Sequence, residues 1–429
     1  MPNKLNKPAY ITGVGCSKFG SLLETPEIQG LTLPELSAVA VEEAMENAGV
    51  DASEIDAVIV GNVMEASSHM AASYSQISKY IGMQFKPGVH IDAGCATTST
   101  GVTMAAMGIA SGMYNHVLVV GVEATSSEPC GSEEAGGPYQ RKALSSEALW
   151  LYTDRLVNQT YMVPQGYDIF PFYNGWISQG YAKKYGYTIE EFDRCMFELC
   201  RTRRLHASMN PKAILQQTLE DEAKRYGFDD PFEFWVSRFN PMVAWPSRIR
   251  NCVTPADGAS AIVVSSKEVL KNSPNMPVQI KGFGGAISDH PLVGPDPTLS
   301  KYTELAFDTA YEMAAIKPEQ IQYMHVHDCS NIAGINYCEI GGYLPRGLGL
   351  KYAKEGRLRF DGDKPMSTHG GRHGFGHAWA ASGGSDIYEA VRQMRGDADR
   401  AQIKTAPQLV VLHIEGYAMV SCVMVLEGV

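Results

Sequence analysis

The 429-residue sequence runs twice through the same order of strand and helix signals. In the first copy, an apolar run that ends in glycine (10–15) precedes an amphipathic segment and a second apolar run at 55–61. The second copy repeats this order at 278–284, about 300–315 and 321–327. Strands that alternate with helices indicate parallel β units with helices on both faces. The duplication therefore predicts an α/β core with pseudo-twofold symmetry.

Each copy then reaches a glycine-flanked residue with a reactive side chain, at a point where a helix is expected to begin. This residue is Cys95 in the first copy and His377 in the second, and apolar strands follow at 117–121 and 409–413. Functional sites in open α/β sheets gather at the carboxyl ends of strands. We therefore expect the two turns to contribute to one site.

Cys95 is the leading candidate for a nucleophile. It follows Gly94 and precedes a run of small residues, so a strand-to-helix turn would place its thiol at a helix N-terminus. The helix dipole there stabilises a thiolate and activates it. His377 holds the equivalent place and could accept the proton of Cys95. Taken singly, each residue could instead be a buried structural side chain.

Further titratable residues lie at the ends of two predicted strands. His327-Asp328-Cys329 follows one of them, which makes Cys329 a candidate acid/base thiol and His327 a candidate for orienting water or an oxyanion. An incidental loop cysteine is the competing interpretation. The last strand ends near His413 and Gly416, where a backbone N–H could face the same pocket or simply belong to a turn.

The formal net charge of −11 excludes broad electrostatic binding to nucleic acid or to an anionic membrane. Apolar runs such as 117–120 are too short to span a bilayer. No apolar signal segment follows the N-terminus, so we expect a cytoplasmic protein. An anionic ligand would need a local basic patch. The candidates for it, each also explicable as part of a solvated helix face, are Arg201, Arg203, Arg204, Arg248 and Arg250.

The cysteines and histidines give no strong signal for a structural metal site. The nine cysteines are scattered, odd in number and without a C-x-x-C pair, which argues against a disulfide framework or structural zinc. His369, His373 and His377 are spaced by four, as ligands on a helix could be. Glycines between them disfavour a helix, so we predict no metal in this chain.

Residues 125–250 fit neither copy and are predicted to be an insertion in the first half. The predicted organisation is an N-terminal half of residues 1–124 and 251–266, this insertion, and a C-terminal half at 277–429. Within 150–187, 11 of 38 residues are aromatic, against 9% in the whole chain. This enrichment indicates a packed lid or interface, or a surface for a large flat group.

Together these features resemble the thiolase family over essentially the whole chain. Residues 110–123 resemble the segment after the nucleophile helix, 206–213 the loop-domain motif, and 255–261 the D-G-A-A-A segment. The motif at 327–329 resembles the H-D-C-F motif of sterol-carrier-protein-type thiolases. The resemblance implies an α/β fold with a duplicated core, whose two βαβ halves form five layers, and a loop domain inserted in the first half.

The resemblance also implies thiolytic cleavage of a 3-oxoacyl-CoA, or the reverse Claisen condensation, through an acyl-cysteine. Cys95 would attack the substrate after losing its proton to His377, and Cys329 would supply a second thiol. His327 would order a water that holds enolate charge. The N–H of Cys95 and one near Gly416 would hold the oxyanion. Coenzyme A is then a substrate and product, and the five candidate arginines are the candidates for its phosphates.

Three departures from the family pattern leave the acyl group open. The family's G-H-P reads G-H-A at 376–378, the residue after H-D-C is Ser330, and N-x-x-G-G reads S-T-H-G-G at 367–371. The reacting groups are retained while the expected pocket shape changes. With the aromatic segment, this allows a bulky or aromatic acyl group such as that of benzoylsuccinyl-CoA.

The family further implies a homodimer or a dimer of dimers. In this branch it also implies a small partner protein with zinc-ribbon and OB-fold domains that helps to bind coenzyme A. The alternatives are a decarboxylating or hydroxymethylglutaryl-CoA-synthase-like condensing enzyme, which lacks a second catalytic thiol, and a non-catalytic acyl-CoA carrier or scaffold. A catalytic role for Cys329 argues against the first, and acylation of Cys95 against the second.

Overall fold

The computed structural model describes residues 4–63, 72–124, 127–129, 140–142, 169–288, 296–417 and 419–429. The strands are β1 (Ala9–Cys16), β2 (Ala57–Gly61), β3 (Gly88–Ile91), β4 (His116–Glu123), β5 (Ser127–Pro129), β6 (Gln140–Lys142), β7 (Met242–Ala244), β8 (Ser247–Arg248), β9 (Gly258–Ser266), β10 (Val278–Ile287), β11 (Tyr323–Val326), β12 (Leu409–Gly416) and β13 (Val420–Gly428). The helices are α1 (Leu33–Ala48), α2 (Ser73–Tyr80), α3 (Thr97–Ala110), α4 (Ile169–Tyr185), α5 (Ile189–Met209), α6 (Leu219–Arg225), α7 (Pro231–Val236), α8 (Lys301–Ala314), α9 (Asn331–Ile340), α10 (Gly349–Lys354), α11 (Gly371–Gly374) and α12 (Trp379–Arg395).

Nine of these strands form one continuous sheet in the order β11-β12-β13-β10-β1-β9-β4-β2-β3. The first strands of the two sequence copies, β1 and β10, pair antiparallel near its centre. Moving outward from this pair, β9 corresponds to β13, β4 to β12 and β2 to β11. The predicted duplicated α/β core is therefore confirmed.

The expected parallel β units are present, within a sheet that is mixed overall. Within the described residues, the parallel pairs of this sheet are β2·β3, β2·β4 and β11·β12, and its other neighbouring pairs are antiparallel. Residues 417–419 alone join β12 to β13. A connection this short permits only antiparallel pairing, since a parallel return needs a crossover of a dozen or more residues.

Glycines let the outer helices pack directly on the sheet at equivalent places of the two halves. On β1, a Cβ added to Gly15 would stand 2.0 Å from the carbonyl oxygen of Ala40 in α1. On β10, a Cβ added to Gly284 would stand 2.1 Å from the carbonyl oxygen of Ala306 in α8. The apolar run ending in glycine that opens each sequence copy is thus a requirement of helix–strand packing.

The ends of α1 follow the signals in the sequence. Thr32 and Glu35 form a reciprocal capping box before the first turn, and Gly49 ends the helix in a left-handed conformation with φ of 68°. Such boxes satisfy backbone N–H groups that have no partner inside the helix, and glycine takes positive φ without steric cost.

The described part of the insertion packs on the second half of the core. Ile177, Phe192 and Trp235 share one apolar cluster with Phe307 and Tyr337. Tyr181, from the aromatic-rich segment, is fully buried there and its hydroxyl donates to Glu339. The aromatic side chains from Trp176 to Tyr187 therefore serve packing, while 150–168 lie outside the described residues.

Among the described residues, none of the helices combines the length and the apolar character that a bilayer-spanning segment requires. The expected cytoplasmic location and the three-part division of the chain stay predictions. All eight described cysteines are free thiols, and Cys130 lies outside the described residues.

We expect Gly15→Ala and Gly284→Ala each to destabilise the fold by about 1–3 kcal/mol, because an added methyl group must displace a helix backbone. Chemical denaturation followed by circular dichroism measures the loss. Gly285→Ala is the matched control, since its Cβ would meet nothing closer than 3.7 Å. Equal midpoints for all three variants would contradict this account of the packing.

Candidate active site

Cys95 lies in a tight turn two residues before the start of α3. Gly94 has φ of +58°, a conformation that favours glycine. The N–H of Ala96 donates to the carbonyl of Ala93 at 3.2 Å, and Thr97 Oγ1 accepts from the N–H of Ala93 at 2.9 Å. The turn thus holds the thiol at the N-terminal end of a 14-residue helix, where a thiolate is stabilised.

His377 occupies the corresponding position two residues before α12, after Gly376 with φ of +112°. Its Nδ1 lies 2.8 Å from Ser382 Oγ, and its Nε2 lies 3.0 Å from the Sγ of Cys95. Cys95 and His377 are each only 2% exposed. The two copies of the sequence therefore place a thiol and an imidazole in direct contact.

Cys329 and His327 join this pair from the loop that follows β11. The sulfur atoms of Cys95 and Cys329 and one ring nitrogen of each histidine all lie within 4.8 Å of one another. The rings of His327 and His377 are 5.6 Å apart between centroids. The fold therefore brings the four side chains singled out from the sequence into one cluster, called here the Cys–His cluster.

Gly416, at the end of β12, lies against the turn that carries Cys95. A Cβ on Gly416 would stand 2.1 Å from the carbonyl oxygen of Ala93. His413 lies elsewhere: its ring stacks on Phe307 at 5.3 Å and its Nε2 is 3.1 Å from Ser421 Oγ. Of the two candidates at this strand end, the glycine adjoins the Cys95 turn and the histidine belongs to the core.

The electrostatics of the cluster distinguish its two thiols. A hydrogen bond from Cys329, together with the adjacent His377, holds the pKa of Cys95 well below its usual range in spite of burial. Burial and the neighbouring Cys95 sulfur raise the pKa of Cys329 well above its usual range. Burial lowers the pKa of His327 well below its usual range, so this imidazole is neutral. One thiolate thus faces one neutral thiol.

Arg372 is a buried cation behind the cluster that the sequence reasoning missed. Its guanidinium donates to Asp386 at 2.7 Å, and its backbone N–H donates to Asp328 at 2.7 Å. Its positive charge contributes to the lowered pKa of Cys95. The glycine-rich run around it indicated only a loop, and its partner Asp386 stands 14 positions further along the chain.

The five candidate arginines all bond to carboxylates of the chain. Arg201 pairs with Glu220 on the surface, Arg203 is buried beside Asp328, and Arg248 is buried beside Asp193. The remaining two, Arg204 and Arg250, both pair with Glu222. Of the five, only these last two line the cavity described next.

A cavity of about 760 Å³ lies beside the loops of the Cys–His cluster, and residues 252–255 form one of its walls. The N–H of Val253 donates to the carbonyl of Cys329 at 2.8 Å, and the carbonyl of Thr254 accepts from the N–H of His377 at 2.9 Å. The same backbone segment therefore contacts the cavity and the two segments that carry Cys329 and His377.

The cavity carries a local excess of positive charge. Its lining includes Arg204, Arg250 and Arg225, which share the single carboxylate of Glu222. Arg225 makes the longest of the three ion-pair contacts, 3.9 Å to Glu222, and its side chain is 59% exposed. The sequence reasoning missed it because it stands outside the two arginine clusters. The cavity therefore provides the local basic patch that an anionic ligand would need in a chain of negative net charge.

Apolar side chains pack against Cys95. Trp379 packs on Cys95, together with the partly buried Val63 and Tyr417. Tyr417 takes a left-handed backbone conformation with φ of 52°, and its buried hydroxyl has no hydrogen-bond partner among the described residues. Two aromatic rings therefore border the reacting sulfur.

The three histidines spaced by four do not share a site. His377 contacts Cys95, the Nε2 of His373 lies 3.4 Å from Cys200 Sγ, and His369 lies against His325. Among the described residues, two groups have ligand atoms close enough to hold a metal ion. One is the Cys–His cluster, and the other is His325, His369 and Asp386.

Comparison with known proteins relates the chain to one family. Family models match residues 10–168 as the thiolase N-terminal domain and 265–428 as the thiolase C-terminal domain-like region. An acetyl-CoA acetyltransferase of Methanothermobacter thermautotrophicus is 28% identical, over 92% of this chain and 93% of its own. The benzoylsuccinyl-CoA thiolase subunit BbsB of Thauera aromatica is 25% identical, over 96% of each chain. The solved structure of an Ltp2-ChsH2(DUF35) aldolase superposes with a TM-score of 0.71 at 21% identity, over 99% of this chain and 98% of that one.

We expect Cys95 to react with iodoacetamide well below pH 8.5, about where an ordinary thiol ionises. In His377→Gln the imidazole partner is lost, so the pH–rate profile of alkylation should shift to higher pH. Mass spectrometry of the labelled peptides measures both profiles. Cys422 is the internal control, since burial raises its pKa to about 12 and it should stay unlabelled. Coincident profiles in the two proteins would show that His377 does not tune Cys95.

Proposed function

This chain belongs to the thiolase family and is an acyltransferase of the thiolase type, and we propose that it cleaves a 3-oxoacyl-CoA with coenzyme A, or runs the reverse Claisen condensation, through an acyl-Cys95 intermediate. The observation that carries the proposal is the 3.0 Å contact between Cys95 Sγ and His377 Nε2, with the Cys329 thiol beside it. This arrangement supplies one nucleophile and a separate acid/base.

In the first half-reaction, the Cys95 sulfur attacks the 3-keto carbon of the substrate, and its proton resides on His377 Nε2. The bond between C2 and C3 then breaks, which leaves the acyl group on Cys95 and an enolate on the departing acetyl-CoA moiety. Cys329 donates its proton to C2. A thiol whose pKa is raised is protonated at neutral pH, so Cys329 begins in the form that this step needs.

In the second half-reaction, the Cys329 thiolate takes the proton of an incoming coenzyme A thiol. The coenzyme A sulfur attacks the carbonyl carbon of acyl-Cys95, and the Cys95 sulfur leaves as a thiolate. Since the pKa of Cys95 lies well below its usual range, this sulfur is a good leaving group. Both thiols return to their starting protonation states.

Backbone and imidazole groups would hold the negative charge that develops on oxygen. For the tetrahedral intermediate we assign the N–H of Cys95 and an N–H near Gly416, because Gly416 lies against the Cys95 turn. For the enolate we assign His377 and a water ordered by His327. Removal of one such donor typically costs about 2.7–4 kcal/mol of transition-state stabilisation.

Substitution of the two thiols separates their roles. We expect Cys95→Ser to form no acyl-enzyme when mixed with an acyl-CoA. Cys329→Ala should keep the nucleophile but slow both acylation of Cys95 by an acyl-CoA and release of the acyl group to coenzyme A at least about 100-fold, because the same proton transfer serves both directions and typically contributes 10²–10⁴-fold. Intact-protein mass spectrometry and quenched-flow kinetics measure both steps.

Cys200→Ser is the control for loss of a buried thiol outside the cluster. An acyl adduct on Cys95→Ser would refute the nucleophile assignment. Unchanged release in Cys329→Ala would favour the hydroxymethylglutaryl-CoA-synthase-like alternative, and absence of any adduct on the unmodified protein would favour the carrier or scaffold.

We further propose that coenzyme A enters through the cavity beside residues 252–255. Three guanidinium groups and one carboxylate leave a net positive charge, which suits a polyanionic ligand. Arginine forms strong charge-assisted hydrogen bonds to phosphate. Burial opposes ionisation of Glu222, but Arg250 and Arg204 hold its pKa below the ordinary value. This carboxylate therefore stays charged and positions two of the three cations.

We expect Arg225→Gln to raise the KM for coenzyme A roughly three- to tenfold with little change in kcat, because an exposed phosphate contact contributes about 1 kcal/mol to binding. Steady-state kinetics of thiolysis measure the effect. Arg201→Gln is the matched control, since Arg201 is exposed on the surface and does not line the cavity. Equal effects of the two substitutions would exclude the cavity as the phosphate site.

For the acyl group we propose a bulky or aromatic substituent. Trp379 and Tyr417 border the Cys95 sulfur, and the Thauera aromatica relative is named for benzoylsuccinyl-CoA. Aromatic side chains bury large areas of flat apolar ligand. Comparison of kcat/KM for acetoacetyl-CoA and for an aryl 3-oxoacyl-CoA distinguishes the two acyl classes, and a strong preference for acetoacetyl-CoA would reject this assignment.

A second protein chain is also part of the proposal, in addition to a homodimer or dimer of dimers. The aldolase structure is a complex of Ltp2 with ChsH2(DUF35), and BbsB is named a subunit. We propose a small zinc-ribbon and OB-fold partner that contributes to coenzyme A binding. Full affinity for coenzyme A and full turnover by the isolated chain would refute this.

A further inference from the structure

We propose that the Cys–His cluster also binds Zn²⁺ as a tetrahedral site, and that this binding reversibly inhibits the enzyme. The cluster consists of Cys95, Cys329, His327 and His377, whose four potential ligand atoms all lie within 4.8 Å of one another. Two thiolates and two imidazoles are a ligand set that zinc favours in proteins. The inference uses the residues of the proposed catalytic site but goes beyond their catalytic role.

The distances suit a metal of this size. Zinc binds sulfur at about 2.3 Å and nitrogen at about 2.0–2.1 Å, so the ligand atoms of a tetrahedral site stand roughly 3.3–3.8 Å apart. Cys95 Sγ and His377 Nε2, at 3.0 Å, need to separate slightly. No pair in the cluster exceeds this range by more than about 1.0 Å, an adjustment within the reach of side-chain rotation.

Each imidazole has a ring nitrogen that is available to coordinate a metal ion. His327 is 6% exposed, and its Nδ1 is buried without a hydrogen-bond partner among the described residues. His377 is held at Nδ1 by Ser382 Oγ, which leaves Nε2 facing the thiols. A hydrogen bond at the far nitrogen is the usual support of a histidine that binds metal.

The second group of potential ligands in the described part of the chain is less suited to a cation. His325, His369 and Asp386 are close together, but Arg372 donates to Asp386 at 2.7 Å. The guanidinium both occupies the carboxylate and repels a metal ion at short range. Cys200 and His373, at 3.4 Å, offer only two ligand atoms, so Cys200 serves as a control.

Zinc binding displaces two protons and removes the nucleophile. One proton is the one that Cys95 and His377 share, and the other is the thiol proton of Cys329. The product is a neutral Zn(S⁻)₂N₂ centre in which the Cys95 sulfur is coordinated and His377 can accept no proton. Release of two protons makes the apparent affinity rise about a hundredfold per pH unit, as long as both protons are bound in the free protein.

The test uses the full chain after chelator treatment, with Co²⁺ as a spectroscopic probe and Zn²⁺ as a competitor. We expect one equivalent of Co²⁺ to give a sulfur-to-metal charge-transfer band and the d–d absorption of a tetrahedral site, both removed by Zn²⁺. Zn²⁺ should abolish turnover, and EDTA should restore it. Because the spectra are read without turnover, failure of the zinc site and failure of the thiolase reaction are distinguishable.

Cys329→Ser and His327→Gln should each weaken Co²⁺ binding at least about tenfold, as loss of a ligand does. Cys200→Ser and His369→Gln should leave both the stoichiometry and the spectrum unchanged. The proposal fails if no charge-transfer band appears. It also fails if the band survives in a Cys95→Ser, Cys329→Ser double variant, or if the apparent affinity does not change with pH.

Discussion

Close packing of α3 against α12 is the constraint on which the reactive site depends. A Cβ on Gly383 of α12 would stand 2.6 Å from Ser99 Oγ in α3, and one on Gly384 would stand 2.0 Å from Ser260 Oγ in β9. Small residues at the contact let the two helices approach until their N-terminal turns meet. Cys95 and His377 each stand two residues before a helix, so this one contact places the thiol and the imidazole 3.0 Å apart.

Two buried ion pairs lie next to the contact between α3 and α12. Arg372 donates hydrogen bonds to Asp386, and Arg203 forms an ion pair with Asp328, with all four side chains almost fully buried. Asp328 stands between His327 and Cys329, so its bonds to Arg203 and to the backbone N–H of Arg372 hold the loop that carries both. A buried ion pair with one partner removed leaves an uncompensated charge, which is strongly destabilising. These two ion pairs therefore restrict the conformation of the loop that carries His327 and Cys329.

The proposed catalytic role and the proposed zinc site involve the same cluster because both need similar chemistry. A nucleophilic thiolate, a second thiol and two neutral or neutralisable imidazoles within a few ångströms are also ligands for a soft divalent cation. Arg225 and its two neighbours line the cavity, and Arg372 lies behind the thiols.

The sequence by itself determined the duplicated order of strands and helices and the reactive residue in each copy. These features are local, because an apolar run, a capping residue or a glycine-flanked turn can be recognised from about ten neighbouring positions of the chain. The ends of α1, the turn at Cys95 and the equivalent turn at His377 could therefore be recognised in advance. The residues of the H-D-C motif could be recognised as well, although no local rule placed them beside Cys95.

Only the tertiary structure decided how the two copies meet. The central antiparallel pairing of β1 with β10 joins residues about 270 positions apart. Arg372, which pairs with Asp386, lies in the short helix α11, whose glycine-rich sequence carries no periodic signal. Side-chain burial also decided which arginines remain close to a cavity, because the sequence cannot show which carboxylate each one faces. Long-range contacts depend on packing of the whole chain, whereas a local pattern records only its own strand, helix or turn.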